Sequence, residues 1–410
     1  MTFLRVFIPF ALGYFLSYLL RVVNAVIAPD IVSEIDLTAA DLGLMTGVSF
    51  LAFAAFQLPL GILLDRYGPR RSEAAILLLA VLGTSIFALA HSATGLIVGR
   101  ALIGMGTSAC LMAAFKAYVM WFPKDRLPLI NGLHMAIGGM GALSATVPIE
   151  MALQYTDWRG ILFFLGALAL VFSITIYFVV PKRTTTSETT SETTSETMSQ
   201  QLGGIKAVFT SSLFWRIAPI TVTSQASFLA IQSLWTGPWL ADVGGLDRSS
   251  VADYLFMIAV GMVFGFLCLG FVAERLTRFG IKTINVSIIC MGIFVALQLC
   301  IAYQIFDNFL PIWILFGFFG TTGILPYSVL IQSFPISISG RVITGINTLV
   351  FSGSFIAQWG IGEIINLWPT VASGGYHPEG YRAAFLTMVA LQILGLLWYL
   401  SQVRKPIETR

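Results

Sequence analysis

The chain alternates between long apolar segments and short polar connections. A helix needs about 20 apolar residues to cross a bilayer, whereas a strand of a membrane barrel needs only about ten alternating ones. The pattern therefore predicts an all-α membrane protein, with twelve transmembrane helices near residues 4–29, 42–64, 73–91, 94–120, 127–152, 159–180, 216–241, 251–272, 282–305, 309–333, 342–366 and 381–402.

Composition agrees with this pattern. Of the 410 residues, 57% are hydrophobic and only 10% are charged, against about 25% charged residues in an average soluble domain. The mean hydropathy is +0.86. Arg21 interrupts the first segment and no A-x-A site follows it, so we interpret this segment as a retained helix rather than a signal peptide.

The basic residues indicate the orientation in the bilayer. With twelve spans both termini lie on one side, and 17 of the 23 Lys and Arg residues fall there, against three on the other side. Loops that are rich in Lys and Arg stay in the cytoplasm. We therefore expect both termini to be cytoplasmic, in a multi-pass protein of the bacterial inner membrane.

A polar repeat divides the chain. The stretch "TTTSETTSETTSETMSQQ" has almost no apolar side chains and predicts a disordered linker. We expect six-helix halves at 1–181 and 211–410, joined by residues 182–210. "GILLDRYGPRR" and "GFVAERLTRFG" occupy equivalent places in the halves, and parallel six-helix repeats are typical of one large class of transporters.

The first of these loops resembles the signature loop of the major facilitator superfamily, and "GRALIGMG", which contains Arg100, resembles its fourth-helix motif. The resemblance implies a transporter that works by alternating access, with the loop controlling the switch between inward-open and outward-open states. A carboxylate at this place can interact with the positive end of a neighbouring helix. The alternative is that the charges only fix topology. The expected latch residues are Gly61, Asp65, Arg66, Arg70 and Arg71, with Glu274 and Arg275 in the second half.

The first helix carries the strongest candidate for substrate binding. Tyr14, Tyr18 and Arg21 recur on one helical face, and Asn24 borders it. A charge in lipid is costly, so such a stripe faces a cavity; the alternative is that Arg21 reaches the outer headgroups. Away from the ends of the predicted spans, the charged groups of the first half are Arg21, Arg100 and Lys116, all cations. This favours an anionic substrate, which Arg grips bidentately.

Two stretches narrow the resemblance. "GYFLSYLLRVVNAVIAP" and "WFPKDRLPLINGLHMAIGG" resemble the organophosphate:phosphate antiporters, with His134 at the position of their substrate-site histidine. They are also similar to the anion:cation symporters, but the first-helix Asp of that branch is Leu20 here. A packing role for His134 is the alternative.

The seventh helix departs from the antiporters because it lacks their second phosphate-binding Arg. It offers Gln225, Gln232, Trp235 and Trp239 instead. A single Arg suits a monoanion or a zwitterion better than a dianionic phosphate, and the aromatic rings suit an apolar body. We select Gln232 and Trp235 as substrate residues; an interfacial belt is the alternative for the tryptophans.

Coupling is the remaining question. The chain lacks G-x-x-x-x-G-K-[ST], so the driving force is expected to be an ion, H+ or a counter-substrate. Possible proton-coupling residues are Arg100, Glu150 and Glu363; the two acids could instead simply face the outer loops. We predict a monomeric secondary transporter of a small anionic or zwitterionic organic solute, not an enzyme, with no cofactor, metal or nucleic acid. A transporter-like receptor and a carrier of neutral or peptide-like solutes are the alternatives.

Overall fold

The computed structural model describes residues 3–123, 126–182, 206–334, 339–371 and 375–403, and the repeat of the predicted linker lies outside them. Within the described residues the elements are helices, with no strand. Eleven of these helices are long and apolar enough to cross a membrane. A twelfth segment, which is more polar than these eleven and is named span 7 below, completes twelve spans that agree with the predicted ones.

The first six spans follow each other through short connections. Span 1 is broken at Val23, span 4 at Ser108 and span 5 at Ala145–Thr146, so each of these consists of two consecutive helices. Span 1 consists of Ile8–Val22 and Asn24–Ile35, and spans 2 and 3 are the two arms of Ala39–Leu89 on either side of Gly68. Span 4 consists of Ala93–Thr107 and Ala109–Trp121, span 5 of Leu127–Ser144 and Val147–Leu153, and span 6 is Trp158–Val179.

The last six spans begin at Ser212. Spans 7 to 12 are, in order, Ser212–Ala230 with Ile231–Trp235 and Thr236–Asp242, Arg248–Arg278, Thr283–Ala302, Leu310–Gly320 with Thr321–Ile324 and Leu325–Gln332, Ser339–Ile365, and Pro378–Val403. We name the membrane side of residues 3 and 403 the terminal side, and the opposite side the distal side.

Local sequence explains where several spans begin. Thr38 and Asp41 form a reciprocal capping box before span 2, since each side chain accepts a hydrogen bond from the other residue's backbone N–H. Ser92 and Asp157 cap spans 4 and 6 in a similar way. Gly68 separates spans 2 and 3 at φ 75° and ψ 167°, a conformation that glycine adopts without steric cost.

Span 7 is the polar one, and its middle turn is unusual. Ile231–Trp235 is a π-helix between two α-helical pieces. Such widened turns are rare and are frequently found at functional sites. The polar residues along this span explain why it falls outside the eleven apolar helices.

The two halves meet tightly on the distal side, where spans 2 and 11 pack together. A Cβ atom at Gly43 would lie 2.7 Å from the carbonyl oxygen of Gln358, and one at Gly362 would collide with the carbonyl of Ala39. The Ala39 N–H also donates to Asn366 Oδ1 at 3.1 Å. The distal side is therefore closed, with the two helix backbones in direct contact.

Candidate functional site

Arg21 lies in the interior, surrounded by aromatic rings from both halves. Its guanidinium carbon is 4.7 Å from the ring centre of Tyr18, 5.7 Å from that of Phe53 and 5.5 Å from that of Phe351. Phe351 belongs to span 11, so the cation is held at the interface of the halves. Among the described residues no carboxylate lies within ion-pair distance of Arg21.

Arg100 lies at the same cavity as Arg21, which the sequence did not reveal. Both border a small cavity of about 20 Å³ between spans 1, 2 and 4, together with Ser17, Ser49 and Thr107. The Arg100 side chain is buried; its Nη1 donates to the Leu20 carbonyl at 2.8 Å, while Nε and Nη2 have no partner within the described part of the chain. Two guanidinium groups thus line one cavity, which has room for about one water molecule.

Tyr14, Tyr18 and His134 form a cluster beside Arg21. The Tyr14 ring stacks on His134 at 4.5 Å and meets Tyr18 edge-on at 5.2 Å. His134 Nδ1 lies 2.9 Å from the hydroxyl oxygen of Tyr118, whereas its Nε2 has no partner among the residues that are described. The histidine is fully buried. It packs against aromatic rings and also keeps one ring nitrogen without a hydrogen-bond partner among the described residues.

The other selected residues lie further toward the distal side. Asn24 Nδ2 donates to Thr46 Oγ1 at 3.2 Å. Trp235 Nε1 donates to the Gln358 carbonyl at 3.0 Å, which ties span 7 to span 11. Gln232 is buried within the π-helical turn. These three groups are all interior, and Trp235 is not part of an interfacial belt.

The acids expected near the distal ends differ in their surroundings. Glu150 accepts from Arg248 Nε at 2.7 Å. Glu363 is exposed and accepts from Trp359 Nε1 at 2.9 Å. A third acid, Glu73, was not among the candidates, because it follows the basic stretch "GPRRS" and stands at the very start of the predicted span 73–91. In the structure Glu73 is fully buried.

Arg248 bridges the two halves on the distal side. Its Nη1 and Nη2 donate to the two oxygens of Asp30 at 2.6 Å each, in addition to the bond with Glu150. Asp247 caps the same helix, and hydrogen bonds from Ser249 and Ser250 lower the pKa of its carboxyl to about 2. We name Arg248, Asp30 and Glu150 the distal bridge.

The loop between spans 2 and 3 lies on the terminal side. Arg70 Nη1 donates to the Val180 carbonyl at 3.1 Å, and Lys116 Nζ donates to the Leu64 carbonyl at 2.9 Å. Arg66 and Arg71 line a cavity of about 320 Å³ beside them. A Cβ at Gly61 would meet open space, and the side chain of Asp65 lies outside the described part of the structure.

The equivalent loop of the second half has a simpler arrangement. Glu274 pairs with Arg278 one turn later on the same helix at 2.6 Å, and both side chains are about two-thirds exposed, at 66% and 67%. Arg275 is exposed. The ion pair of Glu274 therefore stays within span 8.

Comparisons with known proteins agree with this architecture. The profile of the Major Facilitator Superfamily matches residues 10–358. A solved structure of a bacterial homologue of the human lysosomal transporter Spinster, inward-facing and unoccupied, superposes with a TM-score of 0.77 over 97% of this chain and 96% of that one, at 17% identity. This confirms the predicted fold of twelve helices in two halves.

Two curated relatives match part of the chain. A probable sulfoacetate transporter of Cupriavidus necator is 23% identical over 275 residues, which cover 65% of this chain and 64% of that protein. A galacturonate transporter of Dickeya chrysanthemi is 25% identical over 256 residues, which cover 60% and 74%. The chain belongs to the Major Facilitator Superfamily and is a secondary transporter of a small organic solute.

Proposed function

We propose that this transporter carries a small organic anion, such as a carboxylate or a sulfonate, and holds its negative group with Arg21. The observation that carries the proposal is the pair of guanidinium groups, Arg21 and Arg100, at one cavity that no described carboxylate enters. An unpaired buried cation is costly, and a bound anion supplies the missing counter-charge. Both relatives named above are described as carriers of organic anions.

The neighbours of Arg21 suit such a substrate. The hydroxyl groups of Tyr18 and Ser17 can donate hydrogen bonds to anionic oxygens. His134, Tyr14, Asn24, Gln232 and Trp235 are proposed to contact the rest of the solute. Because the cavity has only about 20 Å³, the halves have to move apart around Arg21 before a solute of several carbon atoms is admitted.

We also propose how the carrier lies and works in the membrane. The excess of Lys and Arg in the loops of the terminal side supports a cytoplasmic location for both termini, in a bacterial inner membrane. The loop with Asp65, Arg66, Arg70 and Arg71 is proposed to control the switch between states, and Glu274 and Arg275 to act likewise in the second half. We infer a monomer that is coupled to an ion or a counter-substrate.

The test uses purified protein in liposomes, with radiolabelled galacturonate and sulfoacetate as probes. Arg21→Gln removes the charge, and Arg21→Lys keeps the charge but loses the bidentate fork. Losing a charge-assisted pair in a largely dry site is expected to weaken binding by about 2–5 kcal/mol. The measurement is the dissociation constant together with counterflow, which follows exchange of labelled against unlabelled probe.

The matched control is Arg382→Gln, which removes a partly exposed Arg that pairs with Glu379 on its own helix. This variant is expected to bind and exchange like the wild type. Wild-type affinity in both Arg21 variants would show that Arg21 is not the anion site. Binding of neutral sugars in preference to both anions would refute the proposed substrate class.

A further inference from the structure

Glu73 has surroundings that no assigned role explains. It lies about one turn into span 3, its side chain is fully buried, and among the described residues neither carboxylate oxygen accepts a hydrogen bond from an N–H or O–H group. Its described polar neighbour is the thiol of Cys110. Asp242, another largely buried acid, accepts hydrogen bonds from Tyr381 and from the backbone of Tyr376. The missing donors are therefore particular to Glu73 and not a general property of acids in this protein.

The space around Glu73 is shaped for it by span 1. A Cβ at Gly13 would lie 2.5 Å from Glu73 Oε1, and Ile176 of span 6 closes the same spot. Only glycine at position 13 leaves room for the carboxyl group. Because a thiol is a weak donor and the hydrocarbon side chain of Ile176 has no donor, the site offers little to stabilise a negative charge.

The titratable groups that face Glu73 are a thiol, two phenols and an imidazole. From span 4 these are the Cys110 thiol and the Tyr118 hydroxyl. Tyr14 follows Gly13 on span 1, and its ring stacks on His134 of span 5, which in turn meets Tyr118. On span 3 itself, Arg70 points away to the Val180 carbonyl. Within the described residues no cation forms an ion pair with Glu73.

We propose that Glu73 is the group that binds the coupling proton of this transporter, an inference that rests on the proposed anion transport. An ionised carboxylate without donors or a cation is strongly disfavoured in a dry interior, so the closed state holds the neutral acid. A proton from the water of one compartment forms the O–H bond, and the same bond releases it to the other compartment. No other bond is made or broken.

Span 1 connects the proton to the solute. Gly13, which covers Glu73, and Arg21, which holds the anion, stand eight residues apart on one continuous helix, about 12 Å along its axis. A movement of this helix that admits or releases the anion also lifts Gly13 from the carboxyl group. Water then reaches Glu73 in step with substrate binding, which is the requirement for coupling.

The first measurement needs no substrate. Infrared spectra of the purified protein at neutral pH are expected to show a protonated carboxyl C=O band in the wild type that Glu73→Gln lacks. Glu379→Gln, which changes an exposed acid, is the control and should keep the band. If Glu73→Gln keeps the protonated carboxyl band of the wild type, the inference is wrong.

The second measurement follows transport of galacturonate in liposomes, with a pH gradient imposed in either direction. Glu73→Gln is expected to exchange galacturonate in counterflow but to lose all accumulation that the pH gradient drives. Glu73→Asp, which keeps a titratable group, should restore part of the accumulation and controls for a folding defect. Full accumulation by Glu73→Gln would refute proton coupling at this residue, whereas failure of wild-type counterflow would refute the anion proposal and leave the infrared result to decide on Glu73.

Discussion

At the scale of single residues, the two arginines of the cavity have different surroundings and therefore different expected roles. Arg21 is ringed by aromatic side chains from both halves, whereas Arg100 is bonded to the span 1 backbone through Leu20. The contacts of Arg21 therefore change when the two halves move relative to each other. Arg100 is bonded within the first half and places a second positive charge next to the proposed anion site.

Arg100→Gln is expected to weaken binding of galacturonate by about 2–3 kcal/mol, because one charged donor beside the anion is lost. Arg100→Lys keeps a positive charge and should lose less. Isothermal titration gives both dissociation constants. If the two variants unfold more easily but bind with wild-type affinity, Arg100 only supports the packing of spans 1 and 4.

At the scale of elements, the two halves are joined by different kinds of contact on the distal side and in the layer below it. Between described residues, the hydrogen bonds that join the first half to the second involve Arg248 or the Ala39 N–H, all on the distal side. On the terminal side of this contact, Phe53 packs against Phe351 with ring centres 4.2 Å apart. Distal closure is therefore held by charge and hydrogen bonds, whereas the layer beneath is held by aromatic packing.

Arg248→Gln should shift the protein toward a state that is open on the distal side. Exposed ion pairs contribute up to about 1 kcal/mol each, so the loss of both pairs is expected to change the ratio of the two states by up to about thirtyfold. Spin labels at the exposed positions Tyr155 and Asp253, on opposite halves, report the distance by pulsed EPR. An unchanged distance distribution, equal to that of the control Arg382→Gln, would show that the distal bridge does not hold the closed state.

At the scale of the whole molecule, the apolar pattern was enough to predict the fold. The spans follow from length and hydropathy, and the turn at Gly68 follows from the only residue that tolerates its backbone conformation. The neighbours across spans could not be predicted, because a helix's rotation about its axis is decided by packing. That is why the shared cavity of Arg21 and Arg100 was not predicted, and why Glu73, at the start of its predicted span, was not among the candidate residues.

The linker between the halves is expected to be dispensable. Residues 184–197 contain no large apolar side chain, and Met198 stands alone just beyond them. The segment therefore has nothing to bury against the spans. Deleting half of the Ser-Glu-Thr repeat should leave galacturonate counterflow unchanged in liposomes. A large loss in correctly inserted protein, compared with a variant in which the same positions are replaced by Gly and Ser, would reveal a function of the repeat.

The partial exposure of the distal bridge makes the carrier sensitive to the salinity of one compartment. The Arg248 and Asp30 side chains are 40% and 30% exposed, so dissolved ions reach them, and at 1 M salt charges are screened within about 3 Å. The packing of Phe53 against Phe351, on the terminal side of this contact, involves no charges and is not weakened by such screening. The membrane separates two salt concentrations, and the closed state responds to only one of them.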